Sequence, residues 1–332
     1  MTTLVAGSYE KFIWGFQLKN QTLKPLFSFP SHLAPIKSVA VSGPVAVSGA
    51  SDDAVKIYDL SSCSEVGSLT DHNGAVTSLS FFNPSPSLSF PRNLFSASDD
   101  GTVCIYDADP FVHLKTITAH RRGGISDLAV HPSGKLALTV GRDACLAMLN
   151  LVRGRRSFCC RLDREASIVR FDREGVRFFM SSEVKMSVHE SEDARLVCEF
   201  ENPKRVLCLA PGENGLLFAG GEDHNVTAWD TVAGKVAYRI EDAHLARVKG
   251  LVALGSRSNG NSAELPYLLA SASSDGVIRV WDVRMVGKEK PSPLAEVNTK
   301  SRLTCLAGSS SKSSRKPLVG NSISSREQDV DS

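Results

Sequence analysis

The chain has 332 residues, 42% hydrophobic and 22% charged, with a formal net charge of +2. Its length suffices for one large core or two ordinary ones, near neutrality excludes a global charge argument for nucleic acid, and no apolar run approaches the roughly 18 residues of a membrane-spanning helix. The opening Met-Thr-Thr-Leu-Val-Ala-Gly-Ser-Tyr-Glu has no basic segment followed by an apolar run. No signal peptide is expected, and the protein is expected inside the cell, without a membrane partner and with its eight cysteines reduced. The cysteines form neither a CxxC nor a Cys/His group at zinc spacing, so no metal is expected.

In chain order, the first element is a hairpin, Leu4 to Gly7 and then Phe12 to Leu18, closing on Phe16-Gln17. Plainer copies end at Asp59, Asp107 and Asp282: an apolar strand, a tight turn holding an acid, and an alternating strand that closes on an aromatic residue and Asp. That pattern is a β-hairpin. Weaker copies close on Leu149-Asn150, His189-Glu190 and Trp229-Asp230. In every copy the residue seven positions before the closing polar residue is acidic: Glu10, Asp52, Asp100, Asp143, Glu183, Asp223 and Asp275, at spacings of 42, 48, 43, 40, 40 and 52 residues. The two long intervals hold polar or Pro-rich insertions, Asn83 to Arg92 and Ser256 to Glu264, which belong in loops.

Short apolar strands precede the hairpins (Val76 to Phe81, Ile125 to Val130, Val206 to Leu209), and fourth strands follow (Leu114 to Ile117, Lys235 to Ile240). Four antiparallel strands per unit make a propeller blade, so the expected fold is an all-β, seven-bladed β-propeller. The N-terminal hairpin lacks a first strand, and Arg302 to Ala307 is a first strand without a hairpin. Joined, they complete the seventh blade and leave no open edge at the seam. Residues 1–307 are expected to form this single propeller, and 308–332 a disordered polar tail.

His32, His72, His120 and His244 each lie four or five residues before a first strand, so with the Ser, Asp and aromatic residues of each blade they could pass for catalytic triads. A triad is built once, however, whereas a buried Asp needs partners in every blade. A structural hydrogen-bond network is therefore expected, with a full set in blade six (His244, Ser271 or Ser273, Asp275, Trp281) and Trp229 standing in blade five. No catalytic residue and no cofactor site is expected; Gly134-Lys135 lacks the spacing of a phosphate loop. The loops joining fourth to first strands carry bases: Lys37, Arg121, Arg122, Arg164, Lys204, Arg205, Arg247, Lys249, Lys300 and Arg302. A second basic cluster, Arg153, Arg155, Arg156 and Arg161, lies around the fourth strand of blade three. Such a rim suits phosphate backbones or acidic protein surfaces. Aromatic interleaving for base stacking is not evident, so any RNA contact is expected to be with backbone and shape.

The repeat as a whole resembles the WD-repeat family. Leu4 to Phe16, His131 to Asp143, Asn150 to Arg156, Ala243 to Lys249 and Glu296 to Leu306 resemble one subfamily, the PAK-interacting WD-repeat proteins, the first and last stretches being the specific ones. The resemblance implies a non-catalytic nucleolar and nuclear scaffold acting in large ribosomal subunit (60S) biogenesis and pre-rRNA processing. Its implied partners are pre-60S particles, neighbouring assembly factors and the pre-rRNA backbone, with the protein a monomer inside a larger complex. It also implies a second role, an adaptor with a cytoplasmic pool that binds and negatively regulates a Rho-GTPase-activated kinase of the PAK type. Relatives commonly carry a long Lys-rich C-terminal tail, whereas the last residues here are Ser-Arg-Glu-Gln-Asp-Val-Asp-Ser332.

Overall fold

The computed structural model describes residues 2–85, 88, 90–254, 267–284 and 291–310. Among them the chain forms strands and turns only. The first three strands are β1 (Thr2–Ser8), β2 (Phe12–Lys19) and β3 (Thr22–Pro30). Blade 1 follows as β4 (Ile36–Ser42), β5 (Val45–Ala50), β6 (Val55–Asp59) and β7 (Ser64–Leu69). Blade 2 is β8 (Val76–Phe82), β9 (Asn93–Ser98), β10 (Thr102–Asp107) and β11 (Val112–Thr118). Blade 3 is β12 (Ile125–Val130), β13 (Leu136–Gly141), β14 (Cys145–Asn150) and β15 (Arg155–Arg161). Blade 4 is β16 (Ile168–Phe171), β17 (Arg177–Ser182), β18 (Lys185–Glu190) and β19 (Leu196–Glu201). Blade 5 is β20 (Val206–Pro211), β21 (Leu216–Gly221), β22 (Val226–Asp230) and β23 (Lys235–Ile240). Blade 6 is β24 (Val248–Leu254), β25 (Leu268–Ser273), β26 (Val277–Asp282) and β27 (Ala295–Asn298), and β28 (Leu303–Ser310) ends the described chain.

Each blade is an antiparallel sheet in sequence order except the seventh, whose order is β28, β1, β2, β3. The seven sheets stand in a ring as a seven-bladed propeller. Composition follows radial position. The second strands are covered on both faces and read as nearly unbroken small and apolar runs, as in Val45–Ala50 and Leu268–Ser273. The outer strands turn most side chains to solvent; in Val112–Thr118 only Ile117 is buried. The apolar core lies between blades, so Val47 and Ile57 of blade 1 pack with Val76, Leu94 and Tyr106 of blade 2. The seam is built alike, with Leu4 and Phe16 of blade 7 against Leu254, Ala270 and Val280 of blade 6.

The end of β28 departs from the expected boundary at residue 307. Gly308, Ser309 and Ser310 pair with Leu4, Thr3 and Thr2, because β1 begins at Thr2 and its edge needs partners along its whole length. Residues 311–332 and the insertion Ser256 to Glu264 lie outside the described residues.

Candidate interaction surface

Strand direction sets what each face carries. Every first strand runs away from the loop that enters its blade, so those loops share one face, here called the upper face, with the turns between second and third strands. The marker acids sit in these turns, within reach of the entering loops. In blade 1, His32 Nδ1 donates to Asp52 at 3.0 Å, Ser48 Oγ lies 2.7 Å from His32 Nε2, and Tyr58 OH lies 2.8 Å from Ser48 Oγ. Asp52 also accepts the Leu33 N–H at 2.8 Å. Blade 2 repeats the arrangement with His72, Asp100 and Ser96, and blade 3 with His120, Asp143 and Thr139. In blade 6 His244 Nε2 is 2.8 Å from Ser271 Oγ, which accepts the Trp281 indole N–H at 2.9 Å, while Nδ1 lies 3.5 Å from Asp275. The hydroxyls of Ser48, Ser96, Thr139 and Ser271 belong to fully buried residues, so these constellations hold a blade together and offer nothing for a substrate to reach.

Burial sets the charge states. Burial pushes His32 and His72 below the usual imidazole range, and their neighbouring carboxylates do not reverse the shift. A neutral ring with Nδ1–H facing Asp52 leaves Nε2 as the acceptor for Ser48, so every donor in this blade 1 relay has a partner. Burial alone would raise Asp275, but the His244 ring and the N–H groups of Val277 and Leu245 overcome it and hold the carboxylate at about 2.

Three blades depart from this scheme. Glu183 was expected among the network acids, but β17 pairs with β18 so that Ser182 faces Lys185, leaving a turn of only Glu183 and Val184. The acid itself therefore takes the left-handed position (φ 53°), exposed, and contributes its main-chain carbonyl to Val206 N–H at 2.8 Å. In blades 2 and 6 that position follows the acid and is Gly101 (φ 83°) and Gly276 (φ 86°), the residue for which left-handed backbone carries no Cβ strain. In blade 5 Asn202 replaces the His and Ala219 the hydroxyl, so the Trp229 indole N–H is buried without a partner and the ring stacks on Phe200. In blade 7 Thr299 stands at the His position and bonds to the Gly276 carbonyl at 2.9 Å. Glu10 instead accepts the Arg302 N–H at 2.9 Å.

The basic residues divide by place. Arg121, Arg122, Arg164, Lys204, Arg205, Arg247, Lys300 and Arg302 lie in upper-face loops with exposed side chains. Arg247 stands 3.6 Å from Glu222, and the Arg302 guanidinium lies over the Tyr9 ring at 5.3 Å. Lys37 and Lys249, assigned from sequence to loops, belong instead to first strands. In six blades the first strand carries one extra residue at its second position: Lys37, Thr77, Ser126, Leu207, Lys249 and Thr304. Such a bulge re-aims a side chain. All six line the upper part of a central channel of about 580 Å³. Burial, and then the like charges of Arg247 and Arg302, hold the Lys249 ammonium below its usual range. Arg153 and Arg155 lie around the turn between β14 and β15, on the opposite face, whereas Arg161 ends β15 at its upper side opposite Cys145 and Arg156 reaches up to the loop entering blade 3, so the second cluster is split between the two faces. Arg156 is tied to the Ala119 carbonyl at 2.7 Å.

One group of channel residues was missed. Asp127 accepts Ser78 Oγ–H at 2.8 Å and Val169 N–H at 3.0 Å, and it pairs with Arg170. It thereby joins blades 2, 3 and 4. The available signal was an acid inside the apolar alternation of Ile-Ser-Asp-Leu-Ala-Val130.

A ring of seven four-stranded blades pinned by buried His–Asp pairs, with its loops collected on one face, is a WD-repeat propeller, an architecture that generally serves as a non-catalytic interaction scaffold. The family model "WD domain, G-beta repeat" matches residues 23–59, 63–107, 111–148 and 243–282. Those four segments hold the four His–Asp pairs. The chain is 32% identical over 307 residues to "p21-activated protein kinase-interacting protein 1-like" of Danio rerio, covering 91% of this chain and 79% of the relative. It is 32% identical over 315 residues to "p21-activated protein kinase-interacting protein 1" of Homo sapiens (91% and 76% covered) and 26% identical over 344 residues to "Protein MAK11" of Saccharomyces cerevisiae (91% and 82% covered). The chain belongs to the WD-repeat family of p21-activated protein kinase-interacting protein 1 and its relatives.

Proposed function

We propose that the protein is a non-catalytic scaffold of large ribosomal subunit assembly, located in the nucleolus and nucleus, that holds pre-60S particles and their assembly factors through its upper face during pre-rRNA processing. The carrying observation is the gathering of bases where blades 6 and 7 meet. Lys249, Lys300 and Arg302 form no ion pair among the described residues, and Arg247 faces only the partly exposed Glu222. Three bases whose side chains form no such ion pair, beside Arg247 with its single partner Glu222, are a local field that an anionic surface would neutralise. Family membership supports the same reading through the subfamily resemblance. The test is charge reversal of Arg247, Lys249, Lys300 and Arg302 together. The variant is expected to keep its melting temperature and lose co-sedimentation with pre-60S particles; a folded variant that still co-sediments refutes the reading.

A second reading, an adaptor that binds and restrains a p21-activated kinase, is favoured by the names of the vertebrate relatives. It predicts kinase capture by the purified chain and unchanged pre-rRNA processing on depletion.

A further inference from the structure

The upper face is not uniformly charged. The residue after the network His is Leu33 in the loop entering blade 1 and Leu245 in the loop entering blade 6; in blades 2 and 3 it is Asn73 and Arg121. Leu33 is 85% and Leu245 87% exposed, the two most exposed large apolar side chains among the described residues. Neither is a loose loop tip. Each has its N–H bonded to the network carboxylate, Leu33 to Asp52 at 2.8 Å and Leu245 to Asp275 at 3.0 Å, so both side chains are displayed from a fixed backbone. Blade 7 stands between blades 6 and 1, and its upper loops fill the arc between the two leucines. Tyr9 N–H bonds to the Arg302 carbonyl, and Ser31 N–H to the Lys11 carbonyl, which ties the turn of blade 7 to the loops on either side. This arc also holds Lys300 and Arg302, with Lys249 recessed at the channel mouth beside it.

We propose that this arc of the upper face, over blade 7, is the docking site for an acidic peptide segment of a partner protein, its carboxylates at Lys249, Lys300 and Arg302 and its apolar side chains on Leu33 and Leu245.

Three observations favour a peptide over a nucleic-acid strand. The exposed leucines offer a phosphate backbone nothing, whereas an extended peptide can set apolar side chains on them. One face of the Tyr9 ring is taken by the Arg302 guanidinium and is closed to a stacking base. Lys249 is half-buried on a bulge in the channel wall, where a Glu or Asp side chain can enter and a duplex backbone cannot. Charge complementarity gives the sign of the partner: the side chains of Lys249, Lys300 and Arg302 have no ion-pair partner among the described residues, and Glu10 in the same arc is engaged by the Arg302 N–H.

The inference deepens the scaffold reading and rests on it for the partner's identity, but its test uses the purified full chain without ribosomal particles. A display library of random peptides is selected on the immobilised protein, and enriched peptides are measured by fluorescence anisotropy at two salt concentrations. Enrichment of peptides combining Asp or Glu with Leu, Ile or Phe is expected. Their affinity should fall at least about tenfold on Leu33→Ser with Leu245→Ser, and again on Lys249→Met, and stay unchanged on Arg121→Glu with Arg122→Glu across the ring. Enriched peptides lacking acids, affinity indifferent to the leucines, or single-stranded RNA of mixed sequence competing as well as the peptides would each overturn the proposal. So would a selection that enriches nothing. If the four-charge variant still leaves pre-60S particles while the peptides fail, the scaffold reading stands and this inference falls.

Discussion

Asp127 is the residue whose loss is easiest to price from its contacts. Its carboxylate is almost fully buried, takes one hydrogen bond from Ser78 in blade 2 and one from the Val169 N–H in blade 4, and faces Arg170. Asp127→Ala strands two buried neutral donors, each worth roughly 1–3 kcal/mol when left unmade. Arg170 is more than a third exposed to the channel and can be hydrated there, so its lost partner adds at most about 1 kcal/mol. The expected total is about 3–4 kcal/mol, a large part of the roughly 5–15 kcal/mol that holds a typical native protein. Asp127→Asn separates the contributions. The amide oxygen can accept Val169 N–H while the amide N–H donates to a reversed Ser78 hydroxyl, leaving only the charge unpaired, at a cost of about 1 kcal/mol. Urea titration should show the midpoint of the Ala variant well below that of the Asn variant. Amide exchange should show Val169 losing protection only in Ala. Equal losses for the two substitutions would mean that the ion pair, and not the hydrogen-bonded strap, carries the stability, and a cost under about 1 kcal/mol for Ala would refute the argument altogether.

The buried Trp229 indole without a partner makes a stabilising substitution available: Ala219→Ser places a hydroxyl where Ser271 serves Trp281 and is expected to raise stability by about 1 kcal/mol, read as a higher urea midpoint with an unchanged slope. Acid should unfold the protein in two stages. His32 and His72 are held below the imidazole range, so the unfolded chain binds protons the native one refuses, and stability should begin to fall as pH drops below about 6.5. Asp275, at about 2 against an ordinary 3.8, adds a further loss of about 2 kcal/mol as pH falls from about 4 toward 2. A urea midpoint that is constant from pH 7 to pH 5 would contradict the histidine assignment.

What the sequence disclosed was what is encoded locally. A hairpin declares itself within a dozen residues through alternation and turn chemistry, and seven acid-marked turns at nearly constant spacing leave little choice but a closed ring of blades. Register is a relation between strands and is not written in either one alone. Lys37 and Lys249 were therefore read as loop residues, although the bulge places them in the channel wall. Glu183 matched its siblings by counting, yet a hairpin shorter by one residue moves it out of the turn position that could meet a histidine. Asp127 stood in plain view, but its partners lie in two other blades, 49 and 42 residues away. The pairing of Leu33 with Leu245 also needed the ring, since 212 positions of sequence separate residues that flank one blade.

The uneven distribution of the networks explains why the candidate surface lies where it does. Where a buried imidazole takes the turn carboxylate, as in blades 1, 2, 3 and 6, the acid is held inside the blade, and in blades 1, 2 and 6 it also fixes the residue after the His by its N–H. Blade 7 has Thr299 in place of the His, so Glu10 is free to bond to the main chain of Arg302. That bond holds the entering loop against the turn, sets the Arg302 guanidinium on Tyr9 and leaves Lys300 in the left-handed conformation (φ 57°) with its side chain exposed. The two blades beside it keep their networks and so present Leu33 and Leu245 from rigid backbone. An acidic peptide docked as proposed would meet Lys300 and Arg302 on the blade that lacks the histidine and Leu33 and Leu245 on the two neighbouring blades that keep it.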